Sequence, residues 1–195
     1  MRKRALSTGL FTVLIAALVG FFASPASADP TWERDMAKAG TPPSIKTCVS
    51  TTGANGCWHA NGDVWWVKDT SANGYAAETR WYELTPASDG NYYLHRNGAC
   101  VNGLGSGHWG ACNKDYQENG ILVWKACNVS ISGSLHGCSS QVGCHFAHGG
   151  ANSTCNWDAP WPPTAAASSS RSSAPPLTVK KSSTSSTVTV TDVGG

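Results

Sequence analysis

The chain has 195 residues, with 14 Lys+Arg against 12 Asp+Glu, a formal net charge of +2 and only 13% charged residues. Soluble domains average about 25% charged residues, so this balance excludes a strongly basic nucleic-acid binder. Nine tryptophans and five tyrosines exclude a charge-rich disordered chain, and eight cysteines are foreign to an ordinary reducing cytosol.

Residues 1–28 follow the pattern of a secretory leader. Arg2, Lys3 and Arg4 precede an almost wholly apolar run at 10–22, and Ala26-Ser27-Ala28 sets small residues at a cleavage site. That run is shorter than the roughly 18–20 apolar residues of a spanning helix. No later stretch is long and apolar enough, so the expectation is a secreted, extracellular mature chain without a membrane span. Three basic residues leave with the leader, so 11 basic residues face 12 acidic ones and the mature chain carries −1.

Residues 29–43 form a short charged arm ending in Pro42-Pro43. Trp32 and Met36 lie four apart, the spacing of one helical turn packed on the domain. A disulfide-rich domain follows over 44–160. Its dominant signal is turn chemistry: Asn-Gly at 55–56, 61–62, 73–74, 97–98, 102–103 and 119–120, with Asp89-Gly90 besides. Asn and Gly tolerate the positive φ of tight hairpin turns. The intervening runs at 63–69, 75–84, 91–96, 108–112 and 121–130 are rich in Val, Trp, Tyr and Ile, as strands prefer. No run of ten or more residues keeps a helical period. The predicted fold is all-β, a small antiparallel β-sandwich or barrel stapled by disulfides.

Within it, 64–82 reads as a hairpin with Trp65, Val67 and Trp81 in the core and Trp66, Lys68, Arg80 and Tyr82 facing water. The run 121–130 starts apolar on both faces, as a central strand does. Residues 161–195 read as a disordered tail. Over 164–195 there are nine serines, six threonines and no aromatic residue, too little apolar surface to offset chain entropy. The alternation of Val with Thr or Asp at 187–193 fits a strand, but one that needs partners.

The cysteines are Cys48, Cys57, Cys100, Cys112, Cys127, Cys138, Cys144 and Cys155. An even number in an exported chain implies four disulfides, with about 105 connectivities open. Successive pairs enclose 8, 11, 10 and 10 residues, each interval containing Gly, Asn or Ser able to bring its ends together. Sequential pairing, 48–57, 100–112, 127–138 and 144–155, is therefore expected. The competing reading sets His136, Cys138, Cys144 and His148 around a zinc ion, but the cysteine spacing is wider than that of zinc fingers.

Catalytic signatures are weak. Asp69, Ser71, Asn73 and Gly74 match half of a calcium loop, whose closing position holds Arg80 instead of Glu, so a turn fits better. Asp63, Asp69, Glu78, Glu83, Asp115 and Glu118 are carboxylates available for glycoside hydrolysis, but no spacing forces a pair together. His95, His108 and Lys114 offer acid–base groups for a phosphodiester. Gly103-Leu104-Gly105-Ser106-Gly107 lacks the lysine and helix of a phosphate loop. Asn128-Val129-Ser130 and Asn152-Ser153-Thr154 fit glycosylation acceptors.

The aromatics point to ligand contact. Exposed Trp and Tyr stack sugar rings while neighbouring polar groups bond the hydroxyls. Trp66, Arg80, Tyr82 and Trp109 are the candidate ligand-binding residues, set against the alternative that tryptophans merely fill a thin core.

Two blocks occur in order over about 57–130: Gly62-Asp63-Val64, Val67-Lys68-Asp69-Thr70, Ala72-Asn73-Gly74 and Trp81, then Cys100-Val101-Asn102, Gly105-Ser106-Gly107-His108-Trp109 and Cys112-Asn113. The chain thereby resembles a group of small exported actinobacterial proteins. The resemblance implies a compact secreted β-domain and carries over no catalytic residue. The first functional expectation is a non-catalytic secreted domain contacting glycan, cell wall or another protein. The alternatives are a small hydrolase of glycosidic or phosphodiester bonds, and an inhibitor or antimicrobial effector. No cofactor, metal or nucleic-acid partner is implied, and a monomer is expected.

Overall fold

A computed structural model describes residues 30–44, 46–89, 91–148 and 153–163, and the backbone of 177–181 and 188–192. The leader 1–28 and Asn152 lie outside the described residues. The described strands are β1 (Glu33–Met36), β2 (Lys38–Ala39), β3 (Thr47–Thr51), β4 (Ala54–His59), β5 (Val64–Asp69), β6 (Ala76–Pro86), β7 (Tyr92–Asn102), β8 (Trp109–Asn113), β9 (Ile121–Val129), β10 (Leu135–Cys138), β11 (Gly143–Phe146), β12 (Cys155–Trp157), β13 (Leu177–Lys181) and β14 (Val188–Asp192). They form two sheets. The smaller has five strands in the order β2-β8-β5-β4-β3. The larger has nine, ordered β10-β9-β6-β7-β13-β14-β12, with β1 on β7 and β11 on β9. The all-β expectation holds, and the fold is a two-sheet sandwich with β9 central in the larger sheet.

Alternation along each strand fills the space between the sheets. Val49, Trp58, Trp65 and Val67 enter from the small sheet, and Ala77, Trp81, Leu122, Trp124 and Ala126 from the large one, all buried in one cluster. The Trp65 ring stacks on Trp81 across the gap, with centroids 6.5 Å apart and an interplanar angle of 12°. Trp58 and Trp124 lie 4.6 Å and 5.3 Å from Trp65. Tyr116, on the crossing at 114–120, closes one end of this cluster and accepts a 2.7 Å hydrogen bond from Trp65 Nε1.

Rings of this size need bare backbone beside them. Gly98 pairs with Trp81 and Gly143 with Trp124. A Cβ on Gly98 would lie 2.7 Å from Trp81 Cζ2, and one on Gly143 2.3 Å from Trp124 Cε2. This corrects the turn reading at two places. Asn97-Gly98 lies inside β7 and Asn55-Gly56 inside β4, so strand 91–96 continues to Asn102 and β4 replaces an expected turn.

The expected hairpin 64–82 is also corrected. β5 pairs with β4 and β8, whereas β6 pairs with β7 and β9, and the segment 70–75 crosses from one sheet to the other. In that crossing Asp69 Oδ1 accepts from Ser71 N at 3.0 Å and Asn73 Oδ1 from Tyr75 N at 3.0 Å, the self-bonding of a turn. Trp65, Val67 and Trp81 are core residues as expected, but they meet across the sandwich and not along one ribbon.

The N-terminal arm is extended, not helical. β1 runs parallel to β7 in the large sheet and β2 antiparallel to β8 in the small one. Between them Ala37 N donates to Val101 O at 2.8 Å, so the arm steps from sheet to sheet. Pairing with strand edges supplies backbone hydrogen bonds that one isolated helical turn lacks. The spacing of Trp32 and Met36 was the misleading signal.

All four disulfides join successive cysteines: Cys48–Cys57, Cys100–Cys112, Cys127–Cys138 and Cys144–Cys155. Cys100–Cys112 ties β7 to β8 and thus one sheet to the other, while Cys48–Cys57 and Cys127–Cys138 join directly paired residues. Each contributes about 2–4 kcal/mol. Cys138 and Cys144 of the zinc reading thus sit in different disulfides. His136 stacks on Tyr75, and His148 Nδ1 donates to Glu118 O. Within 161–195, the described parts are 161–163 and two strands. β14 pairs antiparallel with β13 and parallel with β12, so the alternating stretch at 187–193 has partners within the chain.

The close approach at Gly143 has a measurable consequence. Gly143→Ala drives a methyl into the Trp124 ring, and the expected loss is about 1–3 kcal/mol, read as a lower urea midpoint. An unchanged midpoint would show that Trp124 has room to move.

Candidate functional site

The outward face of the small sheet presents three rows of side chains across its strands. Paired positions place Lys38, Ala111, Trp66 and the Cys48–Cys57 bridge in one row. Trp109, Lys68, Asn55 and Ser50 form a second, and Asn113, Val64 and His59 a third. These side chains face out because their neighbours face in: Trp65 and Val67 occupy the core, so pleating turns Trp66 and Lys68 the other way. Trp66 and Trp109 are diagonal neighbours on adjacent strands, a relation that spaces residues by about 7–8 Å. Both are half-buried.

The Trp66 ring borders a cavity of about 430 Å³ lined by Asp35, Lys38, Gly40, Val64, Ala111 and Asn113, among others. Gly40 of the arm lies against the ring edge, where a Cβ would come within 3.1 Å of Cη2 and Cζ3. The arm therefore covers one edge of Trp66. Two cations lie near the Trp109 ring, with Lys46 Nζ 5.6 Å and Lys68 Nζ 5.8 Å from its centroid.

Arg80 and Tyr82, the other two expected binding residues, are elsewhere. They lie on the outer face of the large sheet, on β6, so the four do not share a surface. Arg80 Nε donates to Glu78 Oε1 at 2.8 Å, and its guanidinium is 4.6 Å from the Trp32 ring. Tyr82 is buried at 6% exposure, edge-on to Trp161 at 4.9 Å and to Trp32 at 6.1 Å. Burial raises its phenol pKa, with Arg80 opposing the shift. Both residues fasten the terminal segments onto the sheet.

The carboxylates converge more than their spacing suggests, but around protein partners. Glu33 accepts from Arg96 Nε at 2.8 Å and Nη2 at 3.1 Å and from Lys114 Nζ at 2.7 Å, and Lys114 also pairs with Asp35. Burial works against the Glu33 charge, but the hydrogen bonds from Arg96 and Lys114 hold its pKa below the usual value. Glu83 is fully buried. It accepts from Gln117 N at 2.8 Å, and burial pushes its pKa up despite that bond. Burial likewise raises Asp63, whose Oδ2 accepts from Tyr116 N at 2.9 Å, and the charges of Glu118 and Asp115 add to the shift. These groups hold the 114–120 crossing across one end of the sandwich, and Glu83 has no surface to offer a substrate.

The phosphodiester groups do not assemble either. His95 contacts Gln117 at 3.1 Å, Lys114 is engaged by two carboxylates, and His108 lies past the far end of β7. Asn128 is buried, and its Nδ2 donates to Thr52 O at 2.6 Å, so it is not an accessible glycosylation acceptor.

Lys38, Lys46 and Gly40 were not among the expected site residues. A helical reading of the arm hid Lys38 and Gly40, because only an extended arm brings Lys38 opposite Ala111. Compared with protein-family models, curated proteins and solved structures, the chain matches none.

The raised Glu83 pKa sets a sign for stability. A buried acid of raised pKa favours the folded state while protonated, and that advantage is lost as pH rises through its folded pKa. The stability of the wild type relative to Glu83→Gln should fall as pH rises above the ordinary glutamate range, measured by urea unfolding at each pH. A difference that is flat or rises with pH would contradict the burial of this carboxyl.

Proposed function

We propose that this protein is exported and serves as a non-catalytic binding module that takes a glycan chain on the outer face of the small sheet. One observation carries the reading. Trp66 and Trp109 stand as diagonal neighbours on that face, half-exposed and flanked by Asn55, Asn113, Ser50 and His59. Aromatic faces stack on the apolar faces of sugar rings, and amide, hydroxyl and imidazole groups beside them bond the hydroxyls. The face is held by paired strands and a disulfide, so little ordering entropy is lost when a chain lies on it.

Four disulfides support an oxidising, extracellular setting, as does the leader pattern at 1–28. Among the described residues no helix is long and apolar enough to cross a membrane. The binding reading is favoured over hydrolysis because the two fully buried carboxylates, Glu78 and Glu83, offer no surface to a substrate.

Retention on insoluble cell-wall polysaccharide tests the reading. Trp66→Ala and Trp109→Ala should each weaken retention by about tenfold or more, whereas Tyr75→Ala, off this face, should leave it unchanged. Trp66→Phe, which keeps a ring, should retain most of the binding and guards against a folding artefact. Equal retention of all four variants would remove the proposal.

A further inference from the structure

Three lysines share the outer face of the small sheet with the two tryptophans. Lys38 is level with Trp66 across the sheet, Lys68 is paired with Trp109, and Lys46 lies 5.6 Å from the Trp109 ring centroid. Their surroundings separate them from the described arginines and from Lys114, although Lys125 on the large sheet is likewise without an ion pair among the described residues and lies 5.5 Å from the Trp161 ring. Arg34, Arg80, Arg96 and Lys114 each pair with a carboxylate: Arg34 and Arg80 with Glu78, Arg96 with Glu33 and Glu83, Lys114 with Glu33 and Asp35. Among the described residues, no ion pair engages Lys38, Lys46 or Lys68. The three rows that make up the face contain no acidic residue, and the one carboxylate at the cavity edge, Asp35, is already taken by Lys114.

In a mature chain of −1, uncompensated positive charge is therefore gathered around the aromatic pair. A folded protein loses nothing by scattering its lysines. Three on one acid-free face, two of them beside a half-exposed indole, give that face a sign that a neutral ligand does not use.

Resting on the glycan reading above, we infer that the ligand is an anionic glycan, a polysaccharide or wall polymer bearing carboxylate or phosphate groups. Sugar rings stack on Trp66 and Trp109, and the acidic groups of flanking units meet Lys38 at one end and Lys46 and Lys68 at the other. Lysine suits both anions as a point charge with three rotatable donors, without the planar match that arginine gives to one geometry.

Matched polymers test this. Polygalacturonate and its methyl ester share a backbone and differ in charge, and a poly(glycerol phosphate) wall polymer supplies phosphate in place of carboxylate. Binding of the full chain is measured by affinity electrophoresis at low and at high salt. The expected result is that at least one charged polymer binds about tenfold more tightly than the neutral ester at low salt, with that preference lost at high salt. Whichever charged polymer binds identifies the anion. The triple variant Lys38→Gln, Lys46→Gln, Lys68→Gln should lose the preference while keeping the urea midpoint, and Trp66→Ala should weaken binding to charged and neutral polymers alike. Charged and neutral polymers bound equally, with Trp66 still required, would overturn the anionic inference and leave the glycan reading standing. No polymer bound, or binding indifferent to Trp66, would overturn both. Lysine-dependent sedimentation with phosphatidylglycerol vesicles but no polymer binding would assign the face to a lipid surface and overturn both.

Discussion

The stacking of Trp65 on Trp81 across the sandwich is the constraint from which the other features follow. Sheets pack about 10 Å apart, and in a domain this small the gap is filled by a few very large side chains. Trp58, Trp65, Trp81 and Trp124 fill it. Their size demands glycine on the neighbouring strands, at Gly98 and Gly143. The Trp65 indole nitrogen donates to the Tyr116 hydroxyl and that of Trp124 to Gly56 O, while those of Trp58 and Trp81 are buried without an acceptor among the described residues. Fixing Trp65 inward also decides the next residue. Pleating sends Trp66 outward, so the same dipeptide builds the core and the candidate binding face.

The N-terminal arm links these two consequences. It ties the sheets together by pairing with one strand of each, and its Glu33 and Asp35 secure Arg96 and Lys114 at the end of the sandwich. The same extended path lays Lys38 and Gly40 beside Trp66. One short charged segment thus serves stability on one side and shapes the candidate binding face on the other. The buried carboxylates belong to the first role. Glu78 and Glu83 are fully buried next to arginines, where they pin strands and crossings instead of meeting solvent.

Much of the architecture was legible in the sequence. Fold class, five strand positions, the central strand and the disulfide pairing all follow from alternation, composition and cysteine intervals. The failures share a physical cause, which is that one residue type serves two purposes. Asn-Gly marks tight turns, but Gly56 and Gly98 lie within strands where a Cβ would collide, with Thr79 at Gly56 and with the Glu33 backbone and the Trp81 ring at Gly98. A turn between β5 and β6 looked like a hairpin because local signals do not say whether a chain folds back or crosses to another sheet. That crossing is why Arg80 and Tyr82 part from Trp66 and Trp109. Trp66 was recognisable as outward-facing from the alternation along its strand, whereas the facing of Trp109 was not. Nor was Lys38, because its position depends on long-range pairing that the arm's own residues do not encode.

The central claim is that the outer face of the small sheet, and no other aromatic surface, meets the ligand. Indole N–H signals in an amide correlation spectrum, recorded as soluble polysaccharide is added, address it directly, since each tryptophan reports from its own position. The account predicts movement of the Trp66 and Trp109 signals while those of Trp58, Trp65, Trp81 and Trp124 stay still. Movement confined to Trp32, Trp157 and Trp161, on the opposite side of the large sheet, would contradict it.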